Sequence, residues 1–121
     1  MMYQKALLFG DTDSAQKLLL ATNPGEAKAI GRKVKGFDQA TWEKHRFDIV
    51  VAGNLAKFSA LPDLKSYLLQ TAPCVLVEAS PVDSIWGIGL AEDHPDCPNP
   101  NNWKGENLLG FALMEVRDQL S

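Results

Sequence analysis

Cysteine is scarce, with only Cys74 and Cys97 in 121 residues. Two thiols do not make a disulfide framework, so the chain reads as a reduced, cytoplasmic protein. Histidine is equally rare. His45 stands alone on a helical stretch, where packing or solvent explains it better than catalysis. His94 shares a loop with Asp93, Asp96 and Cys97, but one His and one Cys lack the paired spacing of a structural zinc site, and no metal is expected. No apolar run reaches the ~18–20 residues needed to cross a bilayer, so no membrane partner is expected. Nor does the start read as a secretory signal, because Lys5 is not followed by a long apolar core and a small-residue cleavage site. A basic excess is missing too: 12 Lys and Arg stand against 15 Asp and Glu, a net charge of -3. That balance argues against a broad nucleic-acid surface, while a modified base could still enter a small pocket.

What is present is an ordinary globular composition, 45% hydrophobic and 22% charged, at a length that suits one domain with a real core. The first nine residues, MMYQKALLF, read as an amphipathic helix ending at Gly10. A second helix is expected through AQKLLLA to about Ala21, with Thr12 or Asp13 as its N-cap. Asn23, Pro24 and Glu26 form a capping-box signature for a short third helix, which Gly31 should weaken. Asp38 is placed to cap a long fourth helix, roughly Gln39 to Ser59. There Trp42, Ile49, Ala52 and Ala56 share one face, Phe47, Val50, Val51, Leu55 and Phe58 widen the apolar surface beyond a narrow stripe, and Gly53 would admit a close neighbour. Pro62 opens a shorter helix carrying Leu64, Tyr67 and Leu68, which stops before Pro73.

The pattern then changes. Cys74 to Ala79, CVLVEA, is the clearest strand, and IWGIG reads as a second strand or an extended loop. Glu92 to Asn107 is rich in Pro, Asn, Asp and Gly and reads as a long ordered loop. The last helix should run from about Leu108 to Leu120, with Asn107 as cap and Leu109, Ala112, Leu113, Val116 and Leu120 as its apolar stripe. The fold class expected is α+β: one predominantly helical domain over residues 1–121 with a small β-sheet.

Several residues could carry chemistry. Lys5 lies in an apolar helix, where desolvation would lower its pKa unless the side chain snorkels to water. Arg32, Lys33 and Lys35 could hold a phosphate or form a solvated basic turn. Asp83 opens a glycine-rich turn, where it could accept a proton, bind a ribose hydroxyl, or simply shape the turn. Glu78, on the expected strand, needs a donor if it faces inward. In Trp86 to Gly89 the spacing is not that of a phosphate loop. Gly87 would let backbone approach a ligand, and the Trp86 indole could stack on a base or pack in the core. Trp103, with Asn102, Lys104, Glu106 and Asn107, could close over a ligand or pin its own loop. No Ser, His and Asp triad can be specified.

The order and spacing of several segments carry a resemblance. They are YQKALLF, PGEAKAIGRKVKGF, the run from Trp42 to Phe58, LLQTAPCVLVEASPVDSIWGIG and GENLLGFALMEVRDQL. Over nearly its whole length the chain resembles the YbiA-like, or NADAR, family. The resemblance implies a compact, largely helical α+β fold and N-glycosidase chemistry. The implied substrate is a phosphoribosylamino pyrimidine of riboflavin synthesis or a related ADP-ribosyl nucleobase, with no cofactor. It maps the family's QK lysine onto Lys5, its aspartate and tryptophan before paired glycines onto Asp83 and Trp86, its basic residue onto Arg32, and its late asparagine onto Asn107. Family members usually carry an N-terminal segment of strands and a glutamate–histidine pair before the QK helix. The chain begins after that pair, which implies a form lacking part of the sheet and an acidic group.

On this reading Lys5 and Asp83 are catalytic, and Arg32, Trp86, Gly87, Trp103 and Asn107 bind the substrate. Lys5 attacks the anomeric carbon or its ring-opened aldehyde form to give a Schiff base, and Asp83 orients a ribose hydroxyl or assists proton transfer. Two rivals stand beside it. One is a non-catalytic module that binds ADP-ribose or a nucleotide. The other is a fragment completed by a partner or a second copy, self-associating through an exposed first helix.

Overall fold

The structure, a computed structural model, describes residues 1–121. Its elements are α1 (Met2–Leu8), α2 (Thr12–Leu19), α3 (Pro24–Arg32), α4 (Gln39–Ala60), α5 (Pro62–Gln70), a 3-10 turn at Pro100–Asn102, and α6 (Leu108–Leu120). The backbone gathers into two units, Met1–Ile49 and Val50–Ser121, with the division falling inside α4. No helix is long and apolar enough to cross a membrane.

In the first unit, α1, α2 and α3 pack on one another around Ala6, Ala15 and Val34, with Tyr3, Phe9 and Leu18 at the margin. Small residues at the centre let helix axes approach closely. Gly31 is the sharpest case: a Cβ there would run into the Met2 side chain, its Cγ 2.9 Å away. Gly31 was expected only to weaken α3, yet it marks the crossing of α3 with α1.

The caps follow local chemistry. Gly10, at φ +71, takes the left-handed conformation that ends α1. The N-cap of α2 is Asp11, not the expected Thr12 or Asp13. Its carboxylate accepts from the Ser14 N–H at 3.1 Å and the Ser14 hydroxyl at 2.6 Å. It also accepts from the Lys35 N–H at 2.9 Å, tying the start of α2 to the chain beyond α3. Asn23 caps α3 through the Glu26 N–H at 2.8 Å, while the Glu26 carboxylate accepts from both the N–H and the hydroxyl of Thr22. The capping box is therefore present, with its return bond displaced by one residue. Asp38 caps α4 as expected, accepting from the N–H and hydroxyl of Thr41.

Two expectations for α4 need correction. Trp42 is buried and Ile49 half-buried, but Ala52 and Ala56 are exposed, while Val50 and Val51 are buried. The wider apolar surface expected around Val50 and Val51 is thus present, and only Ala52 and Ala56 on the expected face are left exposed. A Cβ at Gly53 would meet no atom within 4 Å, so no close neighbour uses this glycine.

The fold is helical with no β-strand, so the expected α+β class with a small sheet is overturned. The cause is local to Cys74–Ala79. This segment runs without regular structure, and its backbone pairs with a side chain instead of a second strand. The Asn107 amide accepts from the Glu78 N–H at 2.9 Å and donates to the Leu76 carbonyl at 3.0 Å. A primary amide both donates and accepts, so here it occupies two of the sites a neighbouring peptide would fill. Sequence preference set the β-like composition of CVLVEA, but a sheet requires a partner strand.

In the second unit α5 packs against α6. Leu68, Ile88, Leu90, Ala112 and Val116 are buried. Arg117 is buried as well, and its guanidinium donates to the Thr71 hydroxyl at 2.9 Å and the Cys74 carbonyl at 2.8 Å. These bonds satisfy a charge that would otherwise be costly to bury.

Candidate active site

The expected site residues fall in both units. Lys5 lies on the first, half-buried on α1. Its Nζ donates to the Gly31 carbonyl at 2.9 Å, near the end of α3. The same ammonium stands 4.6 Å from the centre of the Phe37 ring and 5.5 Å from that of Trp42. Phe37 is itself held edge-to-face by Phe9, at 5.3 Å between ring centres. Desolvation by burial pulls the Lys5 pKa below the ordinary lysine value. Both the carbonyl and the ring faces favour the charged form and oppose that pull. Lys5 is therefore a directed side chain, not one extended freely into water.

Arg32 follows Gly31 directly and is exposed at the end of α3. Lys33 and Lys35 are exposed too, and line a groove of about 390 Å³ with Lys17, Asp11, Asp13 and Ser14. Arg32 does not line that groove. The acidic members offset the lysines, so it is not an unopposed cationic cradle. Asp11 is held near a pKa of about 2, chiefly by the Lys35 N–H and then by the two bonds from Ser14.

Asp83, Trp86, Gly87, Trp103 and Asn107 all lie in the second unit. Asp83 Oδ1 accepts from the N–H groups of Ile85 and Trp86, at 3.0 and 2.9 Å. It shapes the turn that presents Trp86, and its Oδ2 takes neither bond. Gly87 has a structural reason for lacking a side chain: a Cβ would lie 2.9 Å from the carbonyl oxygens of both Asp83 and Glu78. Trp86 and Trp103 are half-buried, and the Trp103 indole donates to the Cys97 carbonyl at 2.8 Å. Asn107 is 0% exposed, and both its amide atoms serve the 76–78 backbone. It occupies the N-cap position of α6 with left-handed backbone at φ 52, but its side chain makes no capping bond. The expected side-chain cap is therefore replaced.

The replacement is a row of backbone bonds. The carbonyls of Ser84, Ile85, Trp86, Gly87 and Ile88 accept from the N–H groups of Glu106, Leu108, Leu109, Asn107 and Lys104, at 2.9–3.2 Å. Two donors, Leu108 and Leu109, belong to the first turn of α6, whose N–H groups have no partner within the helix. The glycine-rich turn thus caps α6 with main-chain oxygens. Gly105 fits this contact only because it is glycine, since a Cβ would meet the Gly87 carbonyl and lie 2.9 Å from the Ser84 Cα.

The loop around His94 has a local explanation. His94 Nδ1 accepts the Asp96 N–H at 3.0 Å, and Asn102 donates to the Asp96 carboxylate at 3.1 Å. Sequence reasoning missed Phe37 and Gly31 as the partners of Lys5. The only signal was an aromatic residue just after the glycine that closes the basic turn, and nothing in its spacing pointed towards α1.

The comparisons with known proteins bear on the whole chain. The NADAR domain model matches residues 1–121. The chain is 46% identical over 119 residues to N-glycosidase R617 of Acanthamoeba polyphaga mimivirus, covering 98% of this chain and 70% of that one. It is 42% identical over 121 residues to Protein irg-1 of Caenorhabditis elegans, covering 98% of this chain and 57% of the relative. To the chloroplastic riboflavin biosynthesis protein PYRR of Zea mays it is 38% identical over 112 residues, 89% of this chain but 16% of that longer one. A match running from the first residue to the last, through Lys5, Asp83 and the α6 junction alike, places this chain in the NADAR domain family.

Proposed function

We propose that this chain is a cytoplasmic N-glycosidase acting on a phosphoribosylamino pyrimidine of riboflavin synthesis or a related ADP-ribosyl nucleobase. The reading rests on its 46% identity, over 98% of its length, to a protein named as an N-glycosidase. The riboflavin biosynthesis name of the maize relative supports the pyrimidine branch. Within the molecule, the directed and partly desolvated Lys5 amine supports the choice of nucleophile.

The chemistry requires a carbon–nitrogen bond to break at a sugar carbon that develops positive charge. The Lys5 ammonium first gives up a proton; the neutral amine attacks C1′, and the bond to the base breaks with its electron pair leaving on the base nitrogen, which takes up that proton. Loss of a proton from Nζ and opening of the sugar ring give a Schiff base. Water then adds at C1′, releases the sugar phosphate and returns the Lys5 amine. Asp83 orients a ribose hydroxyl or assists proton transfer. Trp86 and Trp103 offer faces for stacking, Gly87 lets the turn that presents Trp86 close on its own carbonyls, and Arg32 holds a phosphate. Asn107 acts through the 76–78 backbone it holds.

The test is product formation followed by mass spectrometry, with a phosphoribosylamino pyrimidine and an ADP-ribosylated nucleobase offered separately. Released phosphoribose or ADP-ribose is expected, and Lys5→Ala should reduce it to the uncatalysed background. Full activity in Lys5→Ala would remove the nucleophile from the proposal. Saturable binding without product from either substrate would replace the enzyme with a binding module.

A further inference from the structure

Three successive parts of the first unit converge on one atom. The Gly31 carbonyl comes from α3, the Phe37 ring from the turn before α4, and the Trp42 ring from the first turn of α4. All three face Lys5 Nζ on α1. Each interaction suits an ammonium: a carbonyl oxygen accepts its proton, and two π faces offer negative potential. Phe37 is 42% exposed, so burial alone does not fix its ring. Its ring is nevertheless fixed, since Phe9, one helical turn beyond Lys5, meets it edge-to-face at 5.3 Å.

We propose that Phe37 is a positioning residue for Lys5, forming with Trp42 and the Gly31 carbonyl an aromatic cage that holds the Lys5 amine in one place until substrate arrives. The proposal rests on the reading of Lys5 as the reacting amine. Phe9 sets the tilt of the Phe37 ring, and the Phe37 face sets the position of Nζ. The lysine chain has four rotatable bonds, and an uncaged amine would sample many positions. A caged one is presented from a single direction, which favours the geometry of attack more than the strength of substrate binding.

The experiment has two arms. In the ligand-free protein, nuclear magnetic resonance reads the Lys5 ε-methylene protons, assigned by their loss in Lys5→Ala. Ring currents from Phe37 and Trp42 should shift them upfield of the other lysines. Phe37→Tyr, which keeps the ring face, should retain the shift, and Phe37→Leu should lose most of it. Lys5 ε protons at ordinary positions in the unaltered protein would overturn the cage, even if Phe37→Leu failed to fold. An unchanged shift in folded Phe37→Leu would overturn the role of Phe37. The second arm measures turnover: Phe37→Leu should lower kcat about tenfold with KM little changed, and Phe37→Tyr should restore it. Equal kcat in folded Phe37→Leu would overturn the positioning role. Absence of turnover in the unaltered protein would count against the N-glycosidase reading, while the resonance arm alone decides the cage.

Discussion

At the scale of the residue, the closest steric decisions fall on glycines. Gly31 illustrates two opposed effects. Replacing a helical glycine by alanine gains about 0.8–1.0 kcal/mol of helix propensity. Forcing a methyl into a filled space costs about 1–3 kcal/mol. Because the alanine Cβ would run into the Met2 side chain, the second effect should dominate, and Gly31→Ala should lower stability by up to about 2 kcal/mol. Met2 is flexible and can be shortened. In Gly31→Ala/Met2→Ala the collision is gone, and urea unfolding should recover a large part of the loss relative to Met2→Ala alone. A simple sum of the two single changes would show that the contact does not limit this crossing. Gly53 makes the contrast: with open space around its Cβ, Gly53→Ala should stabilise α4 through propensity alone.

At the scale of the element, the segment before the glycine-rich turn depends on one side chain. Asn107→Ala would leave the Glu78 N–H and the Leu76 carbonyl without their partners. A fully buried group left without its partner costs about 1–3 kcal/mol, and these part-buried groups should lie towards the lower end. The variant should therefore unfold at markedly lower urea, and hydrogen exchange at Glu78 should accelerate beyond the global change. Asn107→Asp keeps the acceptor and loses the donor, so it should fall between. These bonds also explain what the sequence could and could not convey. Helix positions were legible because Asn23, Asp38, Pro24 and Pro62 act on residues three or four places away, and such local rules leave local signatures. CVLVEA was misread because its β-branched composition reports a pleated, half-buried environment, not the presence of a second strand. Its true partner lies 29 residues away in Asn107, and no periodicity encodes that pairing. Lys5 stood out as a lysine among apolar neighbours, whereas its cage drew on residues 26 and more places distant. Asp83 and Gly87 were singled out for their types; what they do to the turn became visible only with the carbonyls around them.

At the scale of the whole molecule, acid should weaken the fold through identifiable carboxylates. The folded-state pKa of Asp11 is about 2, against an ordinary value of 3.8. That of Asp38 is also lowered, first by the Thr41 hydroxyl and then by the Thr41 N–H. An unfolded chain takes up these protons at higher pH than the folded one. The contribution of Asp11 is therefore complete above about pH 4 and is lost as pH falls towards about 2. Urea midpoints should decline across that interval, and Asp11→Asn should be less stable at pH 5 but show a shallower decline. An unchanged slope would place the acid sensitivity elsewhere.

The five carbonyls of 84–88 bonded to the 104–109 stretch have a kinetic consequence. Neighbouring bonds in such a row share their neighbours' geometry, so releasing one loosens the next. The amide protons of Lys104, Glu106, Asn107, Leu108 and Leu109 should therefore exchange with solvent through one common opening, with similar protection at every site. A long segment that looks like loop in its composition would then behave in time as a single cooperative block, and α6 would fray from its far end before it lost its first turn.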